Sequence, residues 1–341
     1  ETLDKEADLW KKSLVKPRKI IQMHWGGGTP NYLNSSDLSK VFYSISSRFE
    51  ILPNAEVSIE IDPTFLTEDQ LPTLKDIGFN RVSFGVQDMD PEVQELITRG
   101  QTADQTIKAI QQAKSLGFKG INIDLVYGLP GQTVSAVRDG IRLITEMSPT
   151  RVLCRPFERD EQRFEHQRGI DSHTMPSVPE KMSMFAAIVD QLESSGFEWI
   201  GINSFAKPDD ALSHAQSEGR LVRNRLGYSD KPTRIVLGVG LGAVSELPNL
   251  LSRNHTSLDA WHESLDNKMS PTCAGVIFTS AEAKQRRLVH RLSETLRAPV
   301  TEFEGAEQQG FWLTLSGEIL WTCMARSCGQ GGDIAALAER S

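Results

Sequence analysis

The chain has 341 residues, 39% hydrophobic and 24% charged, with a formal net charge of −8. Those are globular values, the length suits one large domain plus a smaller one, and the acidic balance argues against a nucleic-acid partner. The longest apolar run, Ile235–Val244, is too short to span a bilayer, and cysteines 154, 273, 323 and 328 form neither a disulfide framework nor a zinc-type pair.

Taken in chain order, short apolar bursts alternate with helix-like stretches. The bursts are KIIQMHW, VSIEID, RVSFGVQD, INIDLVYG, RVLC and FEWIGIN. Each has the length of a buried parallel strand. Between them the pattern predicts helices over 36–49, 67–77, 106–116, 135–147 and 179–195. Such alternation implies a parallel sheet or barrel. IGFNRVSFG, LGFKGINID and SGFEWIGIN share one grammar: a glycine ends a helix (Gly78, Gly117, Gly196), a phenylalanine follows, and a strand begins. Glycine there fits a left-handed helix cap. After about Asn203 the chain turns polar and loop-like, and beyond Ser257 it reads as helices. The expected division is a (β/α) partial barrel over 1–250 and a smaller, mostly helical domain over 251–341.

Working residues of such barrels cluster at the carboxyl ends of strands. The first burst runs into Gly26-Gly27-Gly28-Thr29, the second carries Glu60 and Asp62, the third ends in Gln87-Asp88, and the fourth carries Asn122 and Asp124. Bare glycine backbone suits a zwitterionic or phosphate ligand that must come close, although a ligand-free tight loop would use the same residues. Neither GxxxxGK[ST] nor GxGxxG is present. One polar site at the barrel mouth is therefore expected, with no catalytic residue assigned.

The order and spacing of HWGGGTPNYL, SIEIDP, GFNRVSFGVQD, NIDLVYGLPGQT, FAKPDD and RNRLGY resemble the oxygen-independent coproporphyrinogen III oxidases of the radical S-adenosylmethionine superfamily. The resemblance runs from about Lys19 to Ser245. It implies an incomplete, curved (β/α) barrel with a helical C-terminal domain. It also implies a [4Fe-4S] cluster in the full-length protein and two S-adenosylmethionine molecules. Gly27 would contact the first of these molecules, and Gly28 and Thr29 the second. Glu60 would bind the first cofactor's amino group or ribose. Gln87, Arg99 and Asp124 would bind the second, Arg99 as a fork for a carboxylate, and Val244 would cover the first adenine. The implied reaction is radical decarboxylation of two propionates of coproporphyrinogen III to vinyls, giving protoporphyrinogen IX in haem biosynthesis. For that tetra-acid, Arg155, Lys207, Arg223 and Arg225 are weak candidate ligands. A flavodoxin or ferredoxin donor, a monomer and a cytoplasmic setting are implied too, or an organelle if a transit peptide once preceded Glu1.

Three features depart from the family pattern. The CxxxCxxC triad that holds the cluster is not in the chain, so no metal ligand is expected among these residues, and the chain alone is expected to be inactive. A missing N-terminal piece is the economical explanation; a cluster-less relative is the other. Glu158 stands where a small residue usually lines the second cofactor site, and WTCMARSCGQGG only loosely echoes the family's last helix. Two alternative functions remain open: a sister methylase or cyclopropanase, or a non-enzymatic haem chaperone using His24, His214, His255 or His262.

Overall fold

The computed structural model describes residues 1–14, 19–160, 165–299, 312–313 and 318–320. The elements in order are α1 (Thr2–Ser13), β1 (Lys19–Trp25), α2 (Ser35–Ser46), β2 (Glu50–Ile61), α3 (Gln70–Ile77), β3 (Arg81–Gln87), α4 (Pro91–Leu96), α5 (Ala103–Ser115), β4 (Gly120–Tyr127), α6 (Val134–Glu146) and β5 (Arg151–Pro156). There follow α7 (Val178–Ser194), β6 (Glu198–Ile200), β7 (Ser204–Ala206), α8 (Ala211–Ser217), β8 (Val222–Asn224), β9 (Gly227–Ser229), β10 (Val244–Leu247), β11 (Leu250–Asn254), α9 (Leu258–Asp266), β12 (Thr272–Ile277) and α10 (Ser280–Thr295). Cys323, Cys328 and the WTCMARSCGQGG stretch lie outside the described residues.

The chain folds as two compact units that do not follow a boundary at 250. One holds His24–Ser35 and Glu56–His214; the other holds Glu1–Met23, Ser36–Ala55 and the chain from Ala215. The division is interleaved because β1 and β2 each begin in one unit and end in the other.

The first of these is the sheet unit. Its strand order is β1-β2-β3-β4-β5-β7-β6, β1 giving residues 24–25 and β2 residues 56–61. β2 to β5 pair in parallel, and the sheet stays open, as an incomplete (β/α) barrel should. Ile59, Val82, Phe84, Ile123 and Val152 are fully buried along it. The expected helix-ending glycines are left-handed, with φ 116° at Gly78, 70° at Gly117 and 79° at Gly196. In each case the next phenylalanine donates its N–H back into the helix, to Leu74, Ala113 and Leu192, and its ring is buried. FEWIGIN supplies β6, which points the same way as β2–β5 but is separated from β5 by β7. Gly201 takes φ 56°, the chain reverses, and β7 runs antiparallel to both β5 and β6.

The amino ends of these strands carry a buried ion cluster. Arg81 Nε is 3.0 Å from Glu56 Oε2, and Arg151 Nε and Nη2 are each 2.8 Å from Asp210 Oδ1. Arg81 also reaches Asp210 at 3.3 Å, and Arg151 reaches Glu56 at 3.4 Å, so two cations and two anions balance. Gly120 is required here, because a Cβ on it would lie 2.2 Å from the Arg81 guanidinium. Charge therefore plugs one end of the strands and leaves the other for ligands.

The second unit contains the antiparallel sheet β10-β11-β12, the β8–β9 hairpin made by the RNRLGY stretch, and helices α1, α2, α9 and α10. Its described part of 251–341 thus mixes helices with strands. Glu6 on α1 is 1% exposed and accepts from Gly240 N at 2.9 Å, Asn254 Nδ2 at 2.6 Å and Trp261 Nε1 at 3.0 Å. Burial raises its pKa against these three donors. Removing the carboxylate would orphan Gly240 N and Trp261 Nε1, while Asn254 Nδ2 keeps its bond to the Gly240 carbonyl at 2.8 Å, so Glu6→Ala should destabilise this unit by about 3 kcal/mol. Urea unfolding checks this. In the wild type, Glu6 favours folding most below its unfolded pKa, and that contribution fades as pH rises through the raised folded value.

Candidate functional site

The loop after β1 is where bare backbone meets a carboxylate. Gly27 has φ 90°, and its N–H donates to Glu60 Oε2 at 3.2 Å. A Cβ on Gly26 would sit 2.6 Å from the Glu60 carboxyl carbon, whereas one on Gly27 or Gly28 would meet nothing within 4 Å. Gly26 thus lets the acid close onto the loop, and the next two glycines leave open space. Asn31, 1% exposed, fixes the loop to the end of β2. Its amide donates to the Asp62 carbonyl and accepts from Asp62 N, both at 2.9 Å. Gln70, 2% exposed, donates to the Asn31 and Leu33 carbonyls at 2.8 Å. Thr29 precedes the short turn Pro30–Tyr32, and its carbonyl accepts from Tyr32 N at 3.0 Å.

β3 ends in backbone strain. Asp88 N donates to the Val86 carbonyl at 2.9 Å across Gln87, whose φ is 68°. That is the rarer hand of γ-turn, and a non-glycine residue held there is a mark of a working site. Gly85, in mid-strand, leaves the room that two side chains use. A Cβ on it would lie 3.3 Å from both Gln87 Nε2 and Arg99 Nη2. Gln94 secures the turn by donating to the Val86 and Asp88 carbonyls, and Gln132 donates to the Asp88 carboxylate.

Arg99 differs from its expected role. Its Nη2 donates to Asp62 Oδ2 and to the Gly85 carbonyl, each at 2.8 Å, and its Nε to Gln101 at 3.0 Å. The Nε–Nη2 edge is thus taken by protein, so a ligand carboxylate would meet Nη1 rather than the full fork. Asp124, partly buried on β4, accepts from Asn122 Nδ2 at 2.6 Å, and Asn122 also donates to Ser83 at 2.6 Å.

The two acids are set apart by their surroundings. At Glu60, burial opposes ionisation, but the hydrogen bond and charge of His24, the Gly27 N–H and the Arg155 charge prevail, and its pKa is lowered. At Asp124 burial prevails over Arg155 and Asn122, and its pKa is raised. Glu60 therefore suits a cation, and Asp124 suits hydroxyl donors. Arg155 lies at the end of β5, and its charge acts on both acids, which sets it beside them.

Gly27, Gly28, Thr29, Glu60, Gln87, Arg99, Asp124 and Arg155 thus share one unit and the same end of its sheet. Lys207 does not join them. It follows β7, which runs antiparallel to β5, so it lies at the amino ends of the parallel strands. There its Nζ donates to the Ser195 carbonyl at 2.9 Å and sits 4.0 Å over the Phe197 ring. Val244, Arg223 and Arg225 belong to the other unit. Val244 pairs with Arg253 at the start of β10, and Arg223 N donates to Glu294 at 2.7 Å. Phe157 and Glu158 follow β5, where Lys181 Nζ donates to the Phe157 carbonyl at 2.9 Å and Glu158 adds its charge beside that lysine.

Asn31 and Gly85 have no site role in the sequence reading, and His24 appears there only as a candidate haem ligand. Gly85 had a readable signal, since a mid-strand glycine marks close approach.

The S-adenosylmethionine fit is good: an ionised carboxylate, open glycine backbone and a hydroxyl-accepting acid match an ammonium, a sulfonium and a ribose. The cluster fit is not. Among the described residues no group of three or more His, Cys, Asp or Glu could hold a metal. Cys154 is fully buried with its thiol pKa pushed far up, and Cys273 stands on β12 of the other unit.

The radical SAM superfamily matches over residues 4–144. The oxygen-independent coproporphyrinogen III oxidase of Synechocystis is 33% identical over 294 residues, 86% of this chain and 63% of that protein. The Salmonella typhimurium oxidase is 34% identical over 296 residues, 87% and 64% of the two chains. The chain thus spans less than two thirds of these relatives' length. The solved structure of Escherichia coli coproporphyrinogen III oxidase, a radical SAM enzyme, superposes with a TM-score of 0.84 at 33% identity, covering 90% of this chain and 70% of that one.

Proposed function

Because the chain belongs to the radical SAM superfamily and, within it, to the oxygen-independent coproporphyrinogen III oxidases, we propose that it serves the oxidative decarboxylation of coproporphyrinogen III, converting two propionates to vinyls. The observation that carries this reading is the Glu60 carboxylate closed onto the glycine loop, with Gln87 and Asp124 at the next strand ends.

When bound, S-adenosylmethionine supplies the 5′-deoxyadenosyl group that takes a hydrogen from the substrate. On our reading the site takes two such molecules. Ionised Glu60, with the Gly27 backbone, orients the ammonium of the first. Gly28, Thr29, Gln87 and Asp124 receive the second, and Arg99 Nη1 holds its carboxylate. The Asn31 and Gln70 hydrogen bonds keep the loop from relaxing when these places are empty, so less order is lost on binding. Arg155, beside both acids, tempers their mutual repulsion. The cluster's ligands are not provided by this chain's described residues, and no step is assigned to them. A flavodoxin- or ferredoxin-type donor and a monomeric state complete the reading. No helix among the described residues is long and apolar enough to cross a membrane.

A chimaera tests the function. This chain would replace the matching region of the Synechocystis oxidase, and the product would be assayed anaerobically with S-adenosylmethionine, a reductant and coproporphyrinogen III. Vinyl products are expected. Deoxyadenosine without vinyl products would point instead to a methylase or cyclopropanase on the same scaffold.

A further inference from the structure

We propose that His24 is a positioning residue that anchors the Glu60 carboxylate and keeps it aimed at the glycine loop. The proposal rests on the reading that Glu60 takes the cofactor's cationic end. His24 lies at the end of β1, with its side chain 21% exposed. Its Nε2 is 3.3 Å from Glu60 Oε1 and its Nδ1 is 2.8 Å from Ser58 Oγ. Ser58 and Glu60 are two residues apart on β2 and so face the same side of the sheet. A carboxylate only accepts hydrogen bonds, so Nε2 must carry the proton. In the neutral ring Nδ1 then accepts from the Ser58 hydroxyl, and Ser58 sets the tautomer. Glu60 is thereby held at both oxygens, by His24 on Oε1 and by Gly27 N on Oε2. These two bonds hold the carboxylate against the loop, and the Cβ-less Gly26 lets it press close. Without His24 the acid would lose one of its two anchors, the hydrogen-bond donor on Oε1.

Two measurements test this on the intact chain. In ¹⁵N-histidine spectra, His24 should be the Nε2–H tautomer, becoming a mixture in Ser58→Ala. In calorimetric titrations with S-adenosylmethionine, His24→Leu should bind about tenfold or more weakly than wild type, as expected for losing a bond to a charged group. His24→Gln, which keeps a donor, should recover most of that loss. In a Glu60→Gln background the His24 substitution should add less than about twofold, since its effect runs through the acid. An Nδ1–H tautomer, or wild-type affinity in a folded His24→Leu variant, overturns the proposal. So does full additivity with Glu60→Gln. If the wild-type chain binds no S-adenosylmethionine, the functional reading fails, and the tautomer and its response to Ser58→Ala still decide the His24 claim.

Discussion

Asp210→Ala is expected to destabilise the sheet unit by about 3–5 kcal/mol, the range for removing one partner of a buried ion pair. Asp210 is 8% exposed and faces both Arg81 and Arg151, while its Oδ1 also accepts from Leu212 N at 2.8 Å. Without it, two guanidiniums would share Glu56 alone, inside the sheet end and away from water. Its neighbour Asp209 is exposed, so Asp209→Ala should stay within about 0.5 kcal/mol of wild type. Urea unfolding followed by hydrogen exchange at β3–β5 separates the two. The pH dependence has a definite sign. Burial opposes Asp210's charge, but Arg151 and Arg81 overcome it and lower its pKa. Its stabilising contribution is therefore present above its unfolded value of about 3.9 and is lost as pH falls through the lower folded one. Asp210→Asn should flatten the acid limb of the stability curve.

Gly26→Ala should weaken S-adenosylmethionine binding by about tenfold to a hundredfold with little change in folding stability. The added Cβ would meet the Glu60 carboxylate at 2.6–2.7 Å. That group is the end of a flexible side chain, so it swings away and the fold survives, while the acid leaves the loop. Gly28→Ala is the informative companion, because a Cβ there meets no protein atom within 4 Å. Any loss of binding in that variant reports a ligand lying against the backbone. Calorimetry with a melting control reads both variants; equal affinity in all three proteins would remove the glycine loop from the site.

Much of this was legible in the sequence, for identifiable reasons. Strand bursts and glycine-phenylalanine caps are local signals, so β1 to β5 and the caps at Gly78, Gly117 and Gly196 could be read directly. The polar residues at strand ends followed from strand order alone. What escaped depends on partners distant in sequence. His24 looked like an ordinary histidine because Ser58 and Glu60 lie on the neighbouring strand. Arg99 looked like a ligand fork because Asp62 and the Gly85 carbonyl, which occupy one edge of it, come from two other strands. Lys207 looked like a mouth residue because nothing local announces that β7 runs backwards. The interleaved units were hidden for the same reason: composition shifts mark a linear boundary, whereas here β1 and β2 each pass from one unit to the other.

On the proposed function, the strand ends of the sheet unit form an S-adenosylmethionine site built around Glu60. Equilibrium titration of S-adenosylmethionine into the wild-type chain and into Glu60→Gln tests it most directly. Saturable binding by the wild type and at least about tenfold weaker binding by an equally stable Glu60→Gln protein are expected. The contradicting result is no saturable binding by the wild type, or the same affinity in both.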